Sequence, residues 1–245
     1  MKHLLIFLLG LSTLTTSAQD DKVWRFGLQF GNCSNKSKQS AGMQVANGRF
    51  NQNTFDAPNI NFVARYDFNK HWMVLTGLGL NAVGFAYSIS EDYSLNSIKR
   101  KVSDIRTIFP TVEVPLSLFF KFDPNCKNIK WVVGAGIAPT LGAQLISDKD
   151  FSLTSEGKST NYLSSHSVSN GGAAVLVRLS IGREKMYKNG SILQASLLLN
   201  MGFNTTASST VNYTLDNQNY SHTFTNNGSS VGFRLAYFLK PKSKL

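Results

Sequence analysis

The chain has 245 residues, of which 42% are hydrophobic and only 16% are charged, whereas soluble domains usually carry about 25% charged residues. An aromatic content of 11% argues against intrinsic disorder, which is typical of highly charged chains with few aromatics. The formal charge of +11 would suit nucleic acid or anionic lipid, but a basic total identifies neither partner. Two cysteines are too few for a disulfide-rich scaffold or a four-cysteine zinc site.

The first segment has the organisation of a secretory signal peptide. Lys2 precedes an apolar run over 4–11, and small polar residues then lead to Ala18. This order predicts a signal peptide over residues 1–18 with cleavage after Ala18, which leaves 19–245 as the mature domain. The apolar run is shorter than the roughly 20 residues that a membrane-spanning helix needs, and a buried N-terminal helix is the alternative.

The rest of the chain alternates apolar and polar residues with the period of a β-strand. No comparable stretch shows helical periodicity, so the sequence predicts an all-β fold with eight strands. These predicted strands cover residues 24–30, 60–68, 72–81, 112–122, 131–138, 175–181, 193–203 and 231–239.

The predicted connections alternate between two lengths. Those after the odd-numbered strands are all much longer than about 15 residues, which is unusual in a compact soluble domain, and the others are short. Long loops at one end and short turns at the other are typical of an outer-membrane barrel. We therefore predict an eight-stranded antiparallel transmembrane up-and-down β-barrel with four long external loops and short periplasmic turns, in the outer membrane of a Gram-negative cell.

Three tryptophans provide an independent indication of membrane insertion. Trp24, Trp72 and Trp131 each lie at the start of an outward-running strand, on its apolar face. We expect them to form a periplasmic aromatic belt at the boundary between water and lipid. The alternative is that they are core residues of a soluble β-sandwich, although a sandwich gives no reason to place every tryptophan at one end.

The polar faces of the strands predict the contents of the barrel. Glu113 is the only carboxylate predicted in the middle of the lumen, and an unpaired charge there would be costly. We expect it to form a lumen ion-pair network with one or more of Arg65, Arg178 and Arg234, which favours a closed barrel over a gated or ion-selective passage. The other side chains predicted to face inward are Arg25, Gln29, Asp67, Ser117, Lys121, Gln144, Gln194 and Asn200.

Three prolines conflict with continuous strands. Pro110, Pro115 and Pro139 fall inside predicted strands or within two residues of their ends, and proline cannot donate a hydrogen bond to its neighbour. We expect bulges or nearer strand ends at these positions.

A search for chemistry gives few candidates. The four histidines are dispersed, so we predict no metal site, and the sequence supports no catalytic or cofactor-binding residues and no nucleotide loop. Cys33 and Cys126 are predicted on opposite sides of the membrane, too far apart for a disulfide. His166 lies among serines and raises the possibility of a lipid-modifying enzyme, but only positions 164 and 168 share its side of a strand, and residue 168 is valine.

Three segments carry a resemblance to a known family. They are the Glu113-x-Pro115 sequence in the fourth strand, the glycine-rich stretch 134–139 in the fifth, and the closing strand 232–238. With these segments the chain resembles the PorT-like family of bacterial outer-membrane β-barrel proteins. The resemblance implies an eight-stranded barrel in the outer membrane, and some members of that family take part in protein secretion.

The sequence therefore favours a non-enzymatic outer-membrane barrel with a structural or interaction role through its exposed loops. A component of a secretion or transport apparatus is the alternative, and a lipid-modifying enzyme is the third hypothesis. The expected partners are outer-membrane lipid, lipopolysaccharide and the proteins of a secretion complex, with no nucleic acid.

Overall fold

A computed structural model describes residues 23–35, 37–39, 50–93, 98–122, 128–155, 158–215 and 218–240. Within these ranges the fold is all-β and antiparallel, as predicted, and no helix is long and apolar enough to cross a membrane. The strands are β1 (Val23–Asn35), β2 (Lys38–Gln39), β3 (Phe50–Asn53), β4 (Phe55–Asp67), β5 (Trp72–Tyr93), β6 (Ile98–Glu113), β7 (Leu116–Phe122), β8 (Ile129–Ser155), β9 (Lys158–Met186), β10 (Ile192–Gly202), β11 (Ala207–Leu215), β12 (Gln218–Asn226) and β13 (Ser230–Phe238).

Hydrogen-bonded pairing between these strands closes into a ring. From β1 the sheet continues through β4, β5, the segments β6 and β7, β8, β9, β10 and β13, and β13 pairs again with β1. Since β6 and β7 occupy one position, the ring has eight positions among the described strands. A closed sheet leaves no edge at this level, so its backbone donors and acceptors are paired between neighbouring strands.

The two faces of the ring have opposite chemistry. Side chains that point outward are large and apolar, and many are about half exposed, including Phe26, Leu78 and Leu197. Side chains that point inward include Glu113 and Arg234, which are at most 3% exposed. This is the inverse of a soluble fold, and it shows that the apolar face of the sheet is not a buried core between two sheets.

Pro115 interrupts the fourth position of the ring without a bulge. Glu113 pairs with Thr140 and Leu116 pairs with Ile137, so the register against β8 is the same on both sides of the proline. The neighbouring Val114 still donates its backbone N–H to Pro139 O at 2.9 Å. Of the two alternatives predicted at Pro115, the bulge is absent and the nearer strand ends are confirmed, because β6 ends at Glu113 and β7 begins at Leu116.

The external connections are paired strands over much of their length. The β8–β9 hairpin continues to the pair Ser155–Lys158, so most of the segment that we predicted as a long loop extends the sheet beyond the ring. On its β9 side this hairpin pairs with β11. On its β8 side the described part of β6 pairs only through Thr111–Glu113.

Two apolar layers occupy the interior. The layer near the short turns contains Met73, Phe119, Val132 and Phe238, and the layer at the external end is a larger aromatic cluster around Phe50, Tyr87, Tyr213 and Phe224. Polar and charged side chains lie between and around these layers. The interior is therefore filled by side chains, as expected for a ring of eight strands.

Candidate functional site

The middle of the lumen is organised around Glu113. Its Oε2 accepts a hydrogen bond from Arg178 Nη2 at 2.8 Å, and its Oε1 accepts from Arg234 Nη2 at 3.0 Å. Arg178 Nε also donates to Asn200 Oδ1 at 2.9 Å. The Glu113 carboxylate is fully buried, so these charge-assisted hydrogen bonds offset the cost of removing the three charges from water.

A second charged cluster lies closer to the short turns. Arg65 Nη1 donates to Glu184 Oε2 at 2.6 Å and Arg65 Nη2 donates to Asp67 Oδ1 at 2.8 Å. Lys121 Nζ donates to the same Asp67 oxygen at 2.7 Å, and Arg25 also donates to Asp67. One or more of three arginines were expected at Glu113; the structure places two of them there, whereas Arg65 pairs with two other carboxylates.

Glu184 was predicted to lie in a short turn and not inside the barrel. The strand β9 in fact continues to Met186, and Glu184 then falls on the same inward face as Arg178. The even spacing of residues 178 and 184 along an alternating strand was a usable signal, but the predicted end of the strand concealed it.

Gln144 was expected inside the barrel but is exposed. Gly171 and Gly172 in the facing strand have φ angles of 66° and 78°, a left-handed conformation that glycine adopts without steric cost. Beyond this pair the inward face of β9 changes from even to odd residues, since Ser167 and Ser169 are buried. The sequence pattern alone did not reveal this reversal.

The three tryptophans lie at the end of the ring that carries the short turns. Trp24 and Trp72 are 52% and 42% exposed, and both point outward from the ring. Trp131 is half-buried and stacks on Phe122, with ring centroids 6.5 Å apart. Amphipathic aromatic rings at one level of an apolar exterior are typical of the interface between lipid and water.

The external aromatic cluster contains a buried histidine. His222 Nε2 lies 2.8 Å from Tyr213 Oη, and Gln39 Nε2 lies 3.3 Å from His222 Nδ1. Phe50 stacks on Tyr213 with ring centroids 4.8 Å apart. Burial lowers the pKa of His222 and raises the pKa of Tyr87 in the same cluster, so the neutral form of each side chain is favoured there.

His166 lies on β9, in the part of the β8–β9 hairpin that extends beyond the ring, and its side chain faces away from the barrel. Its Nδ1 lies 2.5 Å from Asp148 Oδ1, and both side chains are more than half exposed. Ser165 and Ser167 point to the opposite, buried face. Among the described hydrogen bonds the His166 ring has only this acidic partner, and none joins it to Thr210, its cross-strand neighbour on β11.

The sequence predicted no metal site and no disulfide between Cys33 and Cys126. Within the described ranges no group of three or more histidine, cysteine or acidic side chains could hold a metal ion. Cys33 is a buried free thiol, and Cys126 lies outside the described residues.

The closed ring, its apolar exterior and its charged, filled interior together define a transmembrane antiparallel β-barrel. The chain is similar in fold to the outer membrane protein OprG from Pseudomonas aeruginosa (13% identity, TM-score 0.39, covering 89% of this chain and 95% of that one). It is also similar to the outer membrane protein AlkL in lipid bilayers (15% identity, TM-score 0.38, covering 94% and 96%) and to Neisserial surface protein A (13% identity, TM-score 0.39, covering 86% and 96%). No family model and no curated protein sequence matches the chain.

Proposed function

We propose that this chain is a closed, non-enzymatic β-barrel protein of the Gram-negative outer membrane, with a structural or interaction role through its external hairpins. Residues 1–18 would be removed on export, and 19–245 would form the barrel. The proposed kinship with the PorT-like family rests on the Glu113-x-Pro115 sequence, the glycine-rich β8 and the closing strand. The observation that carries the proposal is the Glu113 cluster, which closes the lumen of a barrel whose exterior is apolar.

The filled interior argues against a transport channel. Two cavities lie on the external side of the Glu113 cluster, and each has a volume of about 20 Å³. A cavity of this size holds about one water molecule. Ions would therefore have to displace the aromatic layer around Phe50 and separate the ion pairs of Glu113 in order to pass.

The external hairpins, β8–β9 and β11–β12, are the part of the molecule that is available to partners. Their outward side chains include the exposed Asp148, His166 and Asn212, so they are polar where the ring below is apolar. Paired strands hold these side chains in a fixed arrangement, which favours recognition of a partner or of lipopolysaccharide at the cell surface.

Closure and location can be tested together. The full-length protein should be found in the outer membrane, require detergent for extraction, and migrate faster on a gel when it is not heated. In a planar bilayer we expect no stepwise conductance from the folded protein. Stable open channels, or recovery of the protein without detergent, would contradict the proposal.

A cross-linking experiment separates the proposed role from membership of a secretion apparatus. A photo-reactive residue at Asn212 reports on the external hairpins, whereas the same residue at Lys188 reports on the exposed periplasmic turn. We expect a discrete product, either protein or lipopolysaccharide, from position 212 and none from position 188. A product only from position 188 would favour a complex assembled from the periplasmic side.

A further inference from the structure

The lipid-facing band of the barrel contains an isolated pair of cations. Arg183 and Lys185 are exposed on the outward face of β9, between the partner strands β8 and β10. On the described strands of the ring, every other outward residue at this level, and above it as far as the exterior stays apolar, is uncharged. These two side chains have no acidic partner among the described residues.

The level of the two cations along the barrel is defined by Trp131. Arg183 is paired with Trp131 in the sheet, and its guanidinium lies over the indole ring, 4.0 Å from the ring centroid. Lys185 is one outward position nearer the periplasmic turn, with its Nζ 5.5 Å from the ring centroid of Tyr187. Both cations therefore lie at the level of the aromatic belt, which is the level of lipid headgroups.

The barrel wall directly above this pair is concave. A depression of about 780 Å³ extends over the lipid-facing wall from Trp72 to Val231, and it includes the outward pair Val133 and Ile181. That pair is the next outward step beyond Trp131 and Arg183, about 7 Å along the strands. Ala135 is the smallest outward side chain that lines the depression, so the wall is thinnest there.

We infer that this surface binds a phospholipid with an anionic headgroup. The phosphate and the second headgroup charge would contact Arg183 and Lys185, and the acyl chains would lie in the depression over Ala135. Charge complementarity selects this occupant, because two cations at headgroup level that have no acidic partner among the described residues favour net negative charge. The inference rests on the proposed insertion of the barrel in a membrane, with the short turns at the phospholipid-containing periplasmic leaflet.

Tryptophan quenching tests the site in the folded, full-length protein. Trp72 lines the depression and Trp131 lies one outward step below its residue Val133, whereas Trp24 is on β1, which contributes no residue to the lining. In the variant Trp24→Phe, a small fraction of brominated phosphatidylglycerol in phosphatidylcholine vesicles should quench fluorescence more than the same fraction of brominated phosphatidylcholine. In Trp72→Phe/Trp131→Phe the two brominated lipids should quench equally.

Substitutions at the cations complete the test. Each cation near an anionic lipid contributes roughly a fivefold preference, so Arg183→Gln/Lys185→Gln should lower the preference for phosphatidylglycerol by about 25-fold. The matched control Lys70→Gln removes an exposed cation from another periplasmic turn and should leave the preference unchanged. Native mass spectrometry of the wild-type protein with an equimolar lipid mixture should retain phosphatidylglycerol selectively.

Equal quenching by both lipids at Trp72 and Trp131, or a preference that Arg183→Gln/Lys185→Gln leaves intact, would overturn the inference. Heat-modifiable migration measured in the same vesicles keeps the two proposals distinct. A folded, inserted barrel without lipid preference rejects only the lipid site. Loss of insertion in the wild-type protein rejects the proposed function itself.

Discussion

Arg234 joins Glu113 across the inside of the barrel, with 3.0 Å between Nη2 and Oε1. The two residues are 121 positions apart in the chain, and their strands, β13 and β6, are not neighbours in the sheet. A hydrogen bond of this kind connects walls that backbone pairing does not join. The Glu113 cluster therefore fixes the cross-section of the barrel as well as closing it.

Removal of the central carboxylate should destabilise the folded barrel strongly. Glu113→Ala leaves the Arg178 and Arg234 guanidinium groups buried without their acidic partner, and breaking a buried pair in this way costs about 3–5 kcal/mol. We expect the urea midpoint for loss of heat-modifiable migration to fall correspondingly. Asp148→Ala, which removes an exposed carboxylate, is the control and should change the midpoint little. A similar midpoint for both variants would show that the central ion pairs are dispensable.

The two charged clusters should behave as separate units. Glu113 and Glu184 share no arginine partner, so the destabilisation by Glu113→Gln and by Glu184→Gln should add within about 0.5 kcal/mol. Glu113→Gln and Arg178→Gln disrupt the same hydrogen bond, and their effects should be clearly non-additive. Double-mutant cycles on unfolding free energies measure both cases. Strong coupling between the two glutamates would mean that the lumen acts as one network.

The sequence predicted the lower barrel well because its signal is repeated. Alternation across lipid is regular, since charged outward side chains are costly in the hydrocarbon region. A single ambiguous position such as Pro115 therefore did not hide the strand. The Glu113-x-Pro115 segment keeps its predicted inward carboxylate, and the register continues past the proline.

The external half was less predictable because lipid does not constrain it. Polar residues there are compatible with either loops or paired strands, so the extension of β8 and β9 to Ser155 and Lys158 was not evident. The pairing of Arg65 with Asp67 and Glu184 could also not be predicted from the sequence. Alternation gives the face of a side chain but not which inward groups meet across the lumen, because that depends on the closure of the ring.

Acid should loosen the external aromatic cluster through His222. Burial places the pKa of this side chain below the ordinary value of 6.5. As the pH falls below about 6.5, the unfolded state binds a proton before the folded state does, so folded stability is lost towards lower pH. Protonation would also place an Nδ1–H against the Gln39 amide donor, while Tyr213 lies at Nε2.

Hydrogen exchange of β11 and β12 at pH 5 and pH 7.5 measures this response. We expect faster exchange in these strands at pH 5 in the wild-type protein and a smaller difference in His222→Gln. His166→Gln changes an exposed histidine on the outer face of the same sheet and should retain the wild-type response. A pH effect that persists without His222 would assign the response to another group.

A charge on the outer face should distinguish lipid from water as the surroundings of the band. Leu78 is 58% exposed and lies between the aromatic belt and the external hairpins. If lipid surrounds it, Leu78→Arg should destabilise the barrel by about 2–4 kcal/mol in vesicles, less if the side chain lies towards an interface. Thr210→Arg places the same charge on the outward face of β11, above the band, and should have little effect. Equal tolerance of both arginines would show that the outward apolar face of the strands is not in contact with acyl chains, because water would solvate either charge at negligible cost.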